Sequence, residues 1–260
     1  MSGDDVWEVR RFASLDSTNR YLLEEARSGA PEGVVAVAEH QTAGRGRLGR
    51  SWEAPPGASL LASVLLRPVL APADLHLCPL VVALAGADAC GDVAGVVPGL
   101  KWPNDLVVGD LKLAGVLAEV DPGAPGGPPG SVATVVGIGL NVEWPGPPGA
   151  AGTSLRALTG RSVDRAELLA GLLGALARRR PALAARSGRE ELLAELVERC
   201  VTIGRLVRVQ TASGTIEGTA TGLTGSGHLR VATADGVREV AAGDVVHVRP
   251  PGPGDRGTLG

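Results

Sequence analysis

Hydrophobic and polar positions along this chain repeat with two different periods, and the changes between them mark out its elements. In SLDSTNRYLLEEARS (14–28), Leu22, Leu23 and Ala26 share one helical stripe and Asp16 or Ser17 can cap it, which predicts a helix over about 17–28. Apolar runs at about 34–40 and 59–67 read as strands. ADLHLCPLVVALAGADACGDV (73–93) has the length and the Ala/Leu content of a buried helix, with Asp74 in its first turn. In LKWPNDLVVGDLKLAGVLAEV (100–120) two β-like runs flank Gly109-Asp110, which predicts a hairpin. DPGAPGGPPG (121–130) excludes regular structure and reads as a mobile loop. A β-branched strand follows at 132–142, then a second Pro/Gly loop at 145–152. The 3.6-residue period returns at 164–180 and 189–200, predicting two helices.

The pattern changes again near Ile203. Short alternating runs separated by Ser-Gly, Gly-Ser-Gly and Asp-Gly turns predict a small antiparallel barrel. A unit of about 45 residues has a marginal core alone and is expected to lean on its neighbour. The expected organisation is a first domain over 1–202, the barrel over 203–250 and a disordered tail over 251–260.

Composition narrows the class. At 260 residues and 44% hydrophobic, a packed core is expected. The 25 basic and 28 acidic side chains leave a formal net charge of −3, which argues against a nucleic-acid coat held by phosphate attraction, so any anion site must be local. Cys78, Cys90 and Cys200 are odd in number and lack C-x-x-C spacing, fitting reduced, buried thiols. MSGDDVWEVR shows no secretory signal. LCPLVVALAGA (77–87) is broken by Pro79 and is shorter than the ~20 residues of a membrane span. A soluble cytoplasmic protein is expected.

Four islands could carry chemistry: DSTN (16–19), QTAGRGRLGRSW (41–52), KWPNDL with KLAG (101–106 and 112–115), and GIGLN (137–141). Each also has a bland explanation. DSTN suits a helix cap, Lys101 and Lys112 suit solvated strand ends, Asn104-Asp105 after Pro103 suits a turn, and GIGLN suits close strand packing. GRGRLG formally satisfies G-x-G-x-x-G, yet the following SWEAPPGAS cannot open a helix, so the dinucleotide-cradle reading fails. Three arginines on a glycine-rich segment suit instead an anion that must be enclosed and released. Trp52 beside them offers a face for a planar ring.

GRGRLGRSW, KWPNDL, KLAGVLAE and GIGLNV, in this order and spacing, resemble the signature motifs of biotin protein ligases, strongly from about Ser17 to Asn141 and more weakly through the C-terminal barrel. The resemblance implies an α+β fold: a mixed β-sheet catalytic domain of the biotin/lipoate ligase type, with helices packed on one side, and an SH3-like C-terminal barrel. It implies the short class without a DNA-binding domain, because only about 15 residues precede the first motif. It implies ATP-dependent transfer of biotin, through biotinyl-5′-AMP, to a lysine of a biotin carboxyl carrier protein. Arg47 and Lys112 match the positions that stabilise charge on the phosphate. Ser17, Thr18, Asn19, Gln41, Gly44, Arg45 and Gly115 match the biotin side, together with Arg47 and Lys112. Trp52, Asn104 and Asn141, with Lys112, match the ATP side, Trp52 beneath the adenine. Mg2+ is implied with ATP, and Asp105 is a candidate to hold it, with no ligand set defined. No base for the carrier lysine is identified; His40 lies near the loop but reads as a strand-end residue. A lipoate–protein ligase and a non-catalytic biotin-binding regulator remain alternatives, and the oligomeric state is open.

Overall fold

The computed structural model describes residues 7–247 apart from 212 and 242, so the tail expected at 251–260 lies outside the described residues. Seven strands form the first sheet: β1 (Glu8–Phe12), β2 (Val34–Ala38), β3 (Ser59–Leu66), β4 (Gly99–Lys101), β5 (Asp105–Val108), β6 (Leu111–Asp121) and β7 (Ala133–Asn141). Their order is β1-β2-β3-β7-β6-β5-β4. Only β1 and β2 run parallel, so the sheet is mixed as expected. The hairpin around Gly109-Asp110 is β5–β6. The run before it folds once more, β4 and β5 flanking a connection that contains the cis peptide Trp102–Pro103.

One face of the sheet is covered by α2 (Leu77–Ala94), α4 (Arg165–Arg179) and α5 (Arg186–Arg199), with the short α3 (Leu155–Thr159) at its end. Val35, Val37, Ala62, Val64, Val136, Ile138, Ala114 and Val116 project into this layer. Alternate residues of the same strands, Val34, Ala36, Leu65 and Val135, meet α1 (Thr18–Arg27) on the opposite face. Period-2 alternation thus supplies two separate apolar layers. By length and composition the stretch Pro72–Ala94 could cross a membrane, a longer run than 77–87. It is instead the core helix, buried against the sheet and α4 along most of its surface, with Asp88 at its edge paired to Arg179 and Arg199. Asp74 is not in its first turn: Pro72–Asp74 forms a separate 3-10 turn, and His76 precedes the helix. Cys78, Cys90 and Cys200 are free and buried.

Residues after Cys200 form a second, five-stranded antiparallel sheet: β8 (Leu206–Thr211), β9 (Gly214–Leu223), β10 (Leu229–Thr233), β11 (Gly236–Val240) and β12 (Asp244–His247), in the order β11-β10-β9-β8-β12. Its small core of Val207, Val209, Ala220, Leu229, Val231, Val240 and Val245 is completed by Trp102 and Cys200. The expected dependence on a neighbour is therefore met chiefly by one indole. Elements without a counterpart in the periodicity are β1, whose EVRRF carries adjacent arginines, and the single-turn helix α3.

Candidate active site

The α1 face of the first sheet carries a cavity of about 320 Å³ lined by residues from all four islands. Its volume lies at the low end of the roughly 300–1,000 Å³ usual for small-molecule sites. Along β6 it runs from Lys112 through Gly115 to Leu117, with Gly137, Gly139 and Asn141 of β7 beside it.

Lys112 reaches this face because the pairing of β5 and β6 slips. Val107 pairs with Lys112 but Leu106 pairs with Ala114, leaving Leu113 as an extra residue. Strict alternation would put Lys112 with Ala114 and Val116, against α2. The bulge turns it to the Gly115 side, while Leu113 and Ala114 are both fully buried. Its Nζ lies 2.7 Å from Asp105 Oδ1 and 5.4 Å from the Trp52 ring centre. Its backbone is fixed by the 145–153 loop: Lys112 N donates to Ala151 O at 2.8 Å and Thr153 N donates to Lys112 O at 2.9 Å. Buried Asn141 holds that loop by donating to Thr153 O at 3.0 Å and Pro145 O at 3.4 Å.

Gly115 and Gly139 are direct cross-strand partners and form the floor. A Cβ on Gly139 would overlap the Trp52 indole, and one on Gly115 would stand 3.1 Å from both Trp52 and Lys112 Nζ. One side of the indole is thus seated on the sheet. Gly137 leaves room in the same way for Asn19, which a Cβ there would displace.

At the start of α1, Ser17 caps the helix, its hydroxyl accepting from Arg20 N. Thr18 donates from its N–H and its hydroxyl to Gln41 Oε1, at 2.8 and 3.0 Å. Ser63 Oγ lies 2.7 Å from Thr18 Oγ1 and 2.6 Å from Asn19 Oδ1. Asn19 donates to Leu117 O and to Glu119 Oε2, at 3.1 and 3.0 Å. Glu119 in turn pairs with Arg45 at 2.7 Å. One polar chain therefore connects the cap of α1 to the arginine loop. Ser63 and Glu119 are members that the motifs left without a role. The signal for Ser63 is a hydroxyl inside the wholly buried run SLLASVLL; Glu119 ends KLAGVLAE.

The loop itself is a short flap. Trp52 N donates to Gly44 O at 2.9 Å, Arg45 bridges Ser51, and Gly46 N donates to Arg50 O at 2.7 Å. The chain reverses at Arg47–Gly49, where Leu48 and Gly49 have φ of +57° and +74°. A Cβ on Gly44 would collide with Trp52 O, so the base of the flap requires glycine. Arg47–Gly49 forms only a single 3-10 turn and no α-helix opens here, consistent with the failure of the dinucleotide reading. Arg47 Nη1 donates to Asn104 Oδ1 at 3.4 Å, and Asn104 Nδ2 donates to Val116 O at 2.8 Å. His40 is not part of this cavity and lines an open groove with Thr42, Pro55 and Trp144.

The comparisons with known proteins agree with this geometry. Residues 11–141 match the model of the biotin/lipoate A/B protein ligase family. Residues 202–248 match the biotin protein ligase C-terminal domain. The chain belongs to the biotin protein ligase family. Within the family, it is 38% identical over 244 residues to the biotin–[acetyl-CoA-carboxylase] ligase of Mycobacterium tuberculosis, covering 91% of this chain and 88% of that one. It is 32% identical over 237 residues to the bifunctional ligase/repressor BirA of Bacillus subtilis, covering 89% of this chain and 71% of that protein. Among solved structures, the biotin protein ligase from Aquifex aeolicus in complex with biotin and ATP superposes with a TM-score of 0.78 at 28% identity, over 94% of this chain and 99% of that one.

Proposed function

We propose that this chain joins biotin to a lysine of a biotin carboxyl carrier domain, at the expense of ATP and through biotinyl-5′-AMP. The observation that carries this reading is the convergence of four separated islands on one cavity, in a chain whose relatives are biotin ligases. In the first step a biotin carboxylate oxygen attacks the α-phosphorus of ATP and the bond to pyrophosphate breaks. Both reactants are anions, so cationic groups must offset their repulsion and stabilise the charge that builds on phosphate. Arg47 and Lys112 would do so: both line the cavity, and Lys112 is a compact point charge on the cavity side of the bulge. In the second step the carrier amine attacks the acyl carbon, AMP leaves, and the amine gives up a proton.

The remaining roles are those the family resemblance implies, and the donor and acceptor chemistry of the residues suits them. A ureido group needs both, and Ser17, Thr18, Asn19 and Gln41 supply hydroxyl and amide groups at one end of the cavity. Gly115 permits close approach, Gly44 lies outside the cavity and lets the base of the flap pack against Trp52, and Arg45 holds the flap down. Trp52, Asn104 and Asn141 serve the nucleotide side, Asn141 through the loop that fixes Lys112. Among the described residues no cluster of three or more His, Cys, Asp or Glu could hold a metal. That suits Mg2+ entering on the ATP phosphates, since this ion commonly takes one or two carboxylates beside phosphates and water. Asp105 is the candidate carboxylate and pairs with Lys112 at 2.7 Å, while Glu53 is the carboxylate that lines the cavity. When bound, the ion would neutralise phosphate charge.

Incubation with ATP, biotin and a carrier domain, read by mass spectrometry, tests the reading: one added biotinyl group on the carrier supports it. Exchange of labelled pyrophosphate into ATP that depends on lipoate and not on biotin would replace it with a lipoate ligase. Biotin binding without any adenylate would replace it with a regulator.

A further inference from the structure

The C-terminal sheet reaches the reacting groups through one side chain of the catalytic layer. Trp102 is only 5% exposed and is buried among Val207, Val209, Ala220, Leu229, Val231, Val240 and Val245, the core of the second sheet. Its N–H donates to Thr202 Oγ1 at 3.1 Å, and its Nε1–H donates to Gly227 O at 2.9 Å. Thr202 is itself fully buried. Two residues further on, Asn104 is tied to Arg47 of the flap and to Val116 of β6, and the next residue, Asp105, pairs with Lys112. The far end of the same hairpin is held as well: Arg205 Nη1 lies 2.9 Å from Asp110 Oδ1, and Asp110 is two residues from Lys112. The second sheet therefore grips segment 102–110 at both ends. The groups that contact Arg47 and Lys112 lie between the grips.

We propose that Trp102 is a positioning residue for adenylate formation: seated in the second sheet, it sets where Asn104 and Asp105 hold Arg47 and Lys112. The ion pair Arg205–Asp110 is half-exposed and contributes little by itself. The buried indole, with one hydrogen bond from its ring and one from the backbone N–H of the same residue, is the rigid grip. It makes the small C-terminal unit part of the first chemical step. This inference rests on the activity proposed above for its kinetic readout, but its structural readout does not.

The full chain carries Lys101 and Lys112 as its only two lysines, so acylation of Lys112 can be followed by mass spectrometry without overlap. Trp102→Phe keeps an aromatic ring, smaller than the indole, and removes the indole N–H; Thr202→Val keeps the shape and removes the hydroxyl acceptor. In ligand-free protein, competitive acylation against an added lysine peptide should show Lys112 about two- to fivefold more reactive in both variants, because its contact with Asp105 loosens. In biotin-dependent pyrophosphate exchange, kcat should fall roughly tenfold or more while KM for biotin stays within about twofold, as expected for misplacement of groups used in the transition state. Added to Lys112→Ala, Trp102→Phe should cost clearly less than it does alone, because only the share that acts through Arg47 remains, whereas a loss of folding would carry over in full. Thr202→Val gives the same decision if Trp102→Phe fails to fold. Unchanged Lys112 reactivity in a folded variant, or rate losses that multiply with Lys112→Ala, would overturn the proposal. A parent chain with no exchange at all would sink the assigned activity, and the acylation measurement would still decide the coupling.

Discussion

Lys112 is the residue on which most of the local geometry converges: a bulge aims it, Asp105 pairs with it, Trp52 lies beside it and the 145–153 loop fixes its backbone. Lys112→Ala should keep the fold, since the side chain is partly exposed and only its backbone is used by the loop. Adenylate formation should fall on the order of 10²–10³-fold, the loss typical of one charge-stabilising donor. A variant within about threefold of the parent would remove Lys112 from the chemistry. Residue chemistry also explains the thiols: burial pushes Cys78 and Cys90 up to about 12, so at pH 8 neither supplies a reactive thiolate in the folded chain.

At the scale of elements, the paired glycines of β6 and β7 and the arginine flap are one device. The strands leave a side-chain-free floor, the Trp52 indole sits on it, and the flap is anchored at both ends of that contact. Gly139→Ala would drive a methyl into the indole. It should weaken ATP binding by about tenfold or more in calorimetry and shift the tryptophan emission, with little change in thermal midpoint, because the face is open to the cavity and not to the core. Unaltered emission and affinity would show that the indole rests elsewhere. The flap should be cut by protease between Arg45 and Arg50, and ligands should slow the cutting. If Arg47 pairs with the adenylate phosphate, Arg47→Gly removes a charged hydrogen bond worth about 1.5–3 kcal/mol, so the intermediate should escape roughly 10–100-fold faster. The escaped acyl adenylate should then label lysines of an added bystander protein. Equal cleavage with and without ligands, together with parent-like retention, would refute the flap.

For the whole molecule, the two sheets share residues at their junction, and the junction titrates. Burial, reinforced by the nearby charges of Lys101 and Arg205, pulls His247 down to about 4, against a smaller opposing effect of Asp110. Its ring lies 3.2 Å from Thr202 Oγ1. A histidine held neutral in the fold contributes stability above its unfolded value of about 6.5, and loses that contribution as pH falls from there toward about 4, because the unfolded chain binds the extra proton first. The thermal midpoint should therefore drop across that window. His247→Gln should flatten this part of the profile; an unchanged slope would assign the acid sensitivity to other groups. The scarcity of lysine has its own consequence at this scale. With 23 of the 25 cationic side chains arginine, the chain offers only Lys101 and Lys112 as side-chain amines to its own acyl intermediate. A leaking variant should label bystanders far more than itself.

Local order in the chain was sufficient for much of this. Helices α1, α2 and α4 and strands β2, β3, β6 and β7 are legible because hydrophobic period and capping residues act over a few neighbours, as with Ser17 before α1 and Asp164 before α4. The four motif islands were legible as well, as polar and glycine-bearing runs beside strands, and residues of all four line one cavity. Contacts between distant segments were not. That Lys112 faces Gly115 depends on one extra residue in strand pairing, which alternation along β6 alone would contradict. Glu119 and Ser63 joined the site only when α1 and the flap were brought against β6 and β3. Trp102 sits in a signature motif, yet its partners lie 100 and 125 residues further along the chain. Periodicity records which face a side chain takes; only packing between elements determines what it meets there, because burial is set by the summed contacts of segments that the chain order keeps apart.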